Sequence, residues 1–166
     1  SHLDELSDTY LPLNESATHV AVELVLRELK LGGNRSDEKI KIGFTSDRDR
    51  PKVAASLVLT RKPNGNISIQ GEGPGRGTVI PPTIISGNNE LDQPITLRLE
   101  IDETSDTYRI TSRKAKDSEF REHGTGKIAP LRPARYLRLS FEGNFADKDD
   151  MIKIESLNVN WSSGKE

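Results

Sequence analysis

Ile95-Thr96-Leu97-Arg98-Leu99-Glu100-Ile101-Asp102 alternates an apolar residue with a polar one from end to end. Successive side chains of an extended strand point to opposite faces, so this stretch reads as a strand with one face buried and the other in water. The next run repeats the pattern, with Tyr108 and Ile110 on one face and Thr107, Arg109 and Thr111 on the other. Further on, Tyr136, Leu137, Leu139 and Phe141 form another strand, and Ile152, Ile154, Leu157, Val159 and Trp161 the last, with a phase shift near Ser156. Toward the N-terminus, Ile40, Ile42 and Phe44 alternate with lysine and glycine, and the run from Val53 to Thr60 is β-branched and apolar. Pro63-Asn64-Gly65-Asn66 reads as a hairpin turn, because Asn-Gly accepts the positive φ that a tight turn needs. Ile67 and Ile69 begin the returning strand.

The remaining segments read less uniformly. Val20, Val22, Leu24 and Leu26 have strand spacing, and Leu29 and Leu31 resume it one position out of phase, as a β-bulge would produce. The alternative is a helix with Val22, Val25, Leu26 and Leu29 as its stripe, ended by Gly32-Gly33. Val79 to Ile85 contains Pro81-Pro82 and is expected at a sheet edge or in irregular structure, since proline cannot donate to a ladder. Ser1 to Asn14 reads as an arm or a first edge strand. Phe120 is expected in a short strand, and His123, beside Gly124-Thr125-Gly126, in a loop. About ten short strands separated by Gly, Pro, Asn and Asp imply an all-β fold, an antiparallel β-sandwich or a barrel.

Composition agrees. With 33% hydrophobic and 30% charged residues, the chain is polar, as two solvated outer sheet faces require. At 166 residues it suits one domain. The expected division is an arm at 1–16, a sandwich domain at 17–162 and a tail at 163–166. The start at Ser1-His2 without Met reads as a cloning scar, implying a domain cut from a larger protein. The net charge of −2 without a basic stripe argues against nucleic acid as a partner. There is no cysteine, which excludes disulfides, thiolate metal sites and cysteine nucleophiles. No apolar run approaches the about 18 residues of a membrane-spanning helix, so membrane insertion is not expected.

Three segments in order carry a family resemblance: Lys41 to Asp47 (Lys-Ile-Gly-Phe-Thr-Ser-Asp), Ile95 to Asp102 with Thr107 to Ile110, and Tyr136 to Phe141 with Ile152 to Val159. Together they resemble the concanavalin A-like lectin/glucanase superfamily, particularly its laminin-G-like modules. The resemblance implies a jelly roll of two curved sheets, binding sugars, proteins or lipids on a concave face or on rim loops. It also implies an extracellular or periplasmic setting, within a larger exported bacterial protein.

Candidate chemistry follows. Glucanases of that superfamily carry a Glu-Ile-Asp strand motif followed by a second glutamate. Here Glu100 and Asp102 share a strand face, but Thr104 and Ser105 stand where that glutamate is needed, and a retaining glycosidase requires two carboxylates about 5 Å apart. The sequence-based expectation is therefore a non-catalytic binding module rather than an enzyme, with polysaccharide or a neighbouring protein domain as partner. A structural domain without small ligand and a degenerate glycosidase using Glu100 and Asp102 are the alternatives. Arg98, Glu100, Arg109, Arg113 and Arg138 are candidates for a polar ligand face if their strands pack side by side. Trp161 is a candidate aromatic platform, and Arg76 a contact on the glycine-rich loop Gly71 to Gly77. No cofactor is expected apart from a structural calcium, for which Asn144, Asp147, Asp149 and Asp150 cluster hard oxygen ligands.

Overall fold

Each alternating segment buries one row of side chains, and two sheets facing each other bury all of those rows at once. In this computed structural model, which describes residues 9–13, 18–32, 37–45, 53–73, 79–128, 136–143 and 150–162, that is the architecture. In chain order the strands are β1 (Thr9–Pro12), β2 (His19–Lys30), β3 (Glu38–Thr45), β4 (Val53–Arg61), β5 (Ile67–Glu72) and β6 (Ile80–Ser86). They continue with β7 (Ile95–Asp102), β8 (Thr107–Lys114), β9 (Arg121–Lys127), β10 (Tyr136–Glu142) and β11 (Met151–Ser162). One sheet has six strands in the order β1-β10-β3-β4-β5-β6, the other five in the order β11-β2-β7-β8-β9. All neighbouring pairs are antiparallel. No helix among the described residues is long and apolar enough to cross a membrane.

The stretch Ile95 to Asp102 lies at the centre of the five-stranded sheet as β7, its apolar row Ile95, Leu97, Leu99 and Ile101 buried. Opposite it, Ile40, Ile42 and Phe44 of β3 and Leu57 and Leu59 of β4 form the facing layer. The ambiguous segment at 20–31 is the strand β2. It is bonded on both sides, in register with β7 from His19 to Leu26 and with β11 along its length. The expected bulge is present: Lys153 pairs Glu28 and Ile154 pairs Leu26, so Arg27 is skipped and Leu29 returns to the core.

Two expectations change. Phe120 precedes a strand rather than lying in one, and β9 runs through Arg121 to Lys127, including the segment around His123 that reads as a loop. Its two glycines and few apolar residues hide a strand that pairs with β8 along one edge only. The Pro81-Pro82 segment is β6, the outermost strand of the six-stranded sheet, and both prolines fall where its register with β5 slips between Ile69 and Gly71, so neither is a ladder partner.

One buried pair lies at the end of the core. Glu38 and Arg61 sit directly opposite on β3 and β4, both fully enclosed, and Arg61 Nη2 donates to Glu38 Oε1 at 2.6 Å. Gly143, at φ 119°, passes over them: a side chain there would meet Asp37 O at 2.8 Å and Glu38 Cα at 3.0 Å.

Candidate functional site

The outer face of the five-stranded sheet carries most of the expected ligand residues. β7 and β8 pair directly, which brings Arg98, Glu100, Arg109 and Arg113 onto one surface. These groups are engaged with one another. Arg98 Nε is 3.0 Å from Glu100 and 3.6 Å from Glu23, and His19 Nε2 is 3.7 Å from Glu100. Arg109 donates to Glu122 at 2.9 Å, and the Arg113 guanidinium lies 5.0 Å over the Phe120 ring. A hollow of ≈ 260 Å³ opens at one end between His19, Glu100, Asp102, Thr107, Arg109 and Thr125. Asp102 is tied to its own turn, accepting from the Thr104 amide at 2.9 Å and the Thr104 hydroxyl at 2.5 Å. Those Thr104 hydrogen bonds, outweighing partial burial, hold its carboxyl below the usual range. Thr104 thus stands where a second carboxylate was sought and immobilises the first.

Arg138 is not part of this surface. It lies on β10, in the six-stranded sheet, and faces outward on the opposite side of the sandwich. Trp161 belongs to the inward row of β11 but is 49% exposed, because β11 is an edge strand. Arg76, Asn144, Asp147 and Asp149 fall outside the described residues. Asp150 Oδ1 accepts from the Gly32 amide at 2.6 Å, linking the start of β11 to the chain leaving β2. Among the described residues no three metal-ligating side chains come together.

The outer face of the six-stranded sheet has a different construction. β10, β3, β4 and β5 lie side by side, and their outward rows converge on a hollow of ≈ 60 Å³. Its lining is polar apart from one glycine: Lys41, Gly43, Thr45, Ser56, Glu72, Arg138, Ser140 and Glu142. The floor consists of small residues. Thr45, Ser56 and Ser140 are buried although they point away from the core, because longer side chains rise around them. Gly43 keeps the floor low, since a Cβ there would run into the Ser56 hydroxyl and approach Ala55 O at 3.1 Å. The Thr45 hydroxyl is enclosed and has no hydrogen-bond partner, as does that of Thr60 on the same outward face. Above the floor, Lys41 Nζ bridges Glu72 at 3.2 Å and Glu142 at 3.1 Å. Burial alone would lower the Lys41 pKa, but the two carboxylates outweigh it and hold it above the usual lysine value. Lys41 is thus a fixed ammonium, a donor rather than a base.

A third opening lies between the sheets where β6 and β9 form neighbouring edges. Ile85, Ser112, Lys114, Asp117 and Arg121 line about 230 Å³ there. The register slips between Ile110 and Thr111, leaving His123 as the extra residue of a bulge. Such a bulge re-aims a side chain: His123 Nε2 lies 2.6 Å from the Ser112 hydroxyl. Burial, with a contribution from Arg121, pushes the His123 pKa down to about 4, so the ring is neutral near neutral pH.

No protein-family model matches the sequence, and no curated protein matches it. Solved structures match its architecture. The CBM2 module of the evolved Dit of Lactobacillus casei BL23 phage J-1 superimposes with a TM-score of 0.65 at 13% identity, covering 93% of this chain and 67% of that one. The fold is a jelly roll. Sheep galectin-11, in complex with glycerol, matches at TM-score 0.54 and 10% identity, over 93% of this chain and 98% of its own. An alginate lyase of Pseudomonas aeruginosa matches at TM-score 0.57 and 13% identity, over 91% and 68%. Identities at this level establish a shared jelly roll, within which no match singles out the laminin-G-like branch.

One expectation is overturned. The chain was expected not to be an enzyme, yet alginate lyases are built on this jelly roll, a second one from Klebsiella pneumoniae matching at TM-score 0.59 and 10% identity. The architecture therefore does not separate binding from catalysis. The ground for that expectation, Thr104 and Ser105 in place of a carboxylate, concerns the five-stranded face alone and leaves the six-stranded face unexamined.

The sequence reading missed Lys41, Glu72, Glu142, Ser56 and Ser140. A signal for part of the set was present: Lys41 and Gly43 alternate with Ile40, Ile42 and Phe44, and Arg138, Ser140 and Glu142 with Leu137, Leu139 and Phe141. Only strand order brings those two rows together.

Proposed function

We propose that this domain engages a glycan through the outer face of its six-stranded sheet. The observation that carries the reading is the hollow itself: a floor of hydroxyls, one of them enclosed and unpartnered, beneath a rim of Lys41, Arg138, Glu72 and Glu142. Sugars present hydroxyls that both donate and accept. A surface supplying ammonium and guanidinium donors beside carboxylate and hydroxyl acceptors complements them, and an unpaired buried hydroxyl gains the bond it lacks. The charges of both faces are paired, Lys41 with Glu72 and Glu142 as Arg98 is with Glu100, so what favours the smaller hollow is its floor of buried hydroxyls. The likeness to a CBM2 module and to a galectin supports the reading at the level of fold. An exported parent protein suits a glycan ligand outside the cell.

A glycan array followed by calorimetry tests this. A hit should weaken by about tenfold to a hundredfold on Lys41→Ala or Arg138→Ala, the loss of one or two charge-assisted hydrogen bonds. It should not change on Arg113→Ala, which lies on the other face. Binding that survives both six-sheet substitutions, or no binding across the array, refutes the proposal.

A second reading has its own observation. Tyr136, Arg138, Lys41 and Gln70 share the same outward face. Elimination from a uronate breaks the C5–H and C4–O bonds. A cation or amide neutralises the carboxylate, a base takes the C5 proton and an acid returns a proton to the leaving glycosidic oxygen. Arg138 or Lys41, Gln70 and the Tyr136 hydroxyl suit these roles by residue type. Appearance of unsaturated, ultraviolet-absorbing product from a polyuronate, lost in Tyr136→Phe, would establish it. No product across alginates and pectates would dismiss it.

A further inference from the structure

Among the described residues four strands form the edges of the two sheets, and three of them are protected against pairing with another chain. β1 has only 4 residues and ends at Pro12. β6 carries Pro81-Pro82. β9 has Gly124 and Gly126 among Arg121, Glu122 and Lys127. β11 differs: it has 12 residues, no proline and no glycine. Its inward row is Ile152, Ile154, Leu157, Val159 and Trp161, opposite Leu29, Leu26, Leu24, Val22 and Val20 of β2. Ile154 and Trp161 are 40% and 49% exposed, and Met151 at the start of the strand 41%. A long apolar edge with unpaired backbone groups is a template for another strand.

We propose that β11 is the interface of a homodimer, two copies pairing edge to edge and antiparallel about a two-fold axis at Leu157, which meets its own counterpart. The register selects this partner. Residues directly opposite in an antiparallel pair share a face. In a regular strand of twelve residues, full overlap about the centre would set inward residues of one copy against outward residues of the other. The skipped Glu155 shifts the inward row from even positions (Ile152, Ile154) to odd ones (Leu157, Val159, Trp161). With that shift, centred pairing sets Ile152 against Trp161 of the second copy and Ile154 against its Val159. On the outward face Lys153 meets Asn160 of the second copy and Ser156 meets its Asn158, while Glu155 stands in the bulge, so no like charges oppose. The strip is about 40 Å long at about 3.4 Å per residue. Together with the half-exposed side chains above and below it, the strip buries an area on the order of the 1,000 Å² expected of a specific interface. A pairing axis normal to the sheet leaves both six-stranded faces on the same side. Bivalent glycan capture would follow; that consequence, unlike the dimer, rests on the reading of the preceding section.

Sedimentation equilibrium tests the dimer without any glycan, and Trp161, the single tryptophan of the chain, provides a second readout. The expected result is a concentration-dependent dimer whose formation shifts Trp161 emission to the blue. Ile154→Lys and Val159→Lys should each raise the dissociation constant by about a hundredfold or more, because each buries a charge. Leu157→Cys, on the axis and opposite its own counterpart in a chain without other cysteines, should give a disulfide-linked dimer on mild oxidation. Met151→Cys alone should not, since its partner across the axis is Ser162. A monomer at all concentrations overturns the proposal. So does a dimer that Leu157→Cys does not cross-link and that both lysine variants leave intact.

Discussion

Lowering the pH from 7 toward 4.5 should destabilise this domain through His123 before its carboxylates contribute. Its pKa is pushed down to about 4 in the fold, by burial first and by Arg121 second, against an ordinary value of 6.5. Between those two values the unfolded ring is protonated and the folded one is not. The unfolded state therefore binds more protons, and stability falls as the pH falls. The contribution is fully present above about pH 6.5 and is lost on the way down to about pH 4. At about 1.4 kcal/mol per unit the upper bound is about 3 kcal/mol. The ring is partly open to water, and screening reduces this to about 1–2 kcal/mol. For a domain of this size that is a fall in melting temperature of about 3–6 °C. Calorimetry of the wild type and His123→Gln at pH 7 and pH 5 provides the assay. Glutamine keeps a polar group beside Ser112 but cannot titrate, so the variant should be the less stable at pH 7 and lose less on acidification. An equal pH slope in the two proteins would refute the reasoning.

The enclosed Glu38–Arg61 pair predicts non-additivity: Arg61→Met alone should cost about 3–5 kcal/mol by removing the guanidinium from a buried carboxylate, while Arg61→Met with Glu38→Leu should recover part of it. Urea titration of both singles and the double checks this. Gly71→Ala should cost about 1–3 kcal/mol through overpacking, because the new methyl would lie 2.7 Å from the Tyr108 hydroxyl and 2.9 Å from Ile80 Cβ. Thermal melts read it directly. Gly43→Ala should raise the floor of the six-stranded hollow and weaken any glycan bound there by more than it lowers stability, which calorimetric binding and melting compared side by side will establish. Lys41→Met should lose its contribution only below the pH at which the ammonium titrates: above the raised Lys41 pKa, wild type and variant should converge in stability.

Much of the fold was legible from single strands. Ile95 to Asp102 announces one buried and one wet face, and Leu29 resumes the pattern of Leu26 out of phase because a bulge lies between them. β9 was not legible, since Gly124 and Gly126 carry no side chains to show a period and His123 enters by a bulge. The candidate site divides the same way. Arg98, Glu100, Arg109 and Arg113 were placed on one surface correctly because β7 and β8 are consecutive and joined by a short turn. Arg138 was grouped with them wrongly, and Lys41 was passed over, because β10 and β3 are neighbours in space while about ninety residues of chain separate them.

By itself, then, the sequence determined the class of the protein. The period of two decides which residues of each strand meet the core, and that is a local property of an extended backbone. Only the tertiary structure decided which polar rows share a surface. Strand order is set by how two sheets close over one core, so the outward rows of β10, β3, β4 and β5 became a single hollow with no local pattern to announce it. The same holds for β11: its apolar row is ordinary in sequence and becomes an interface only because the fold leaves it at an edge.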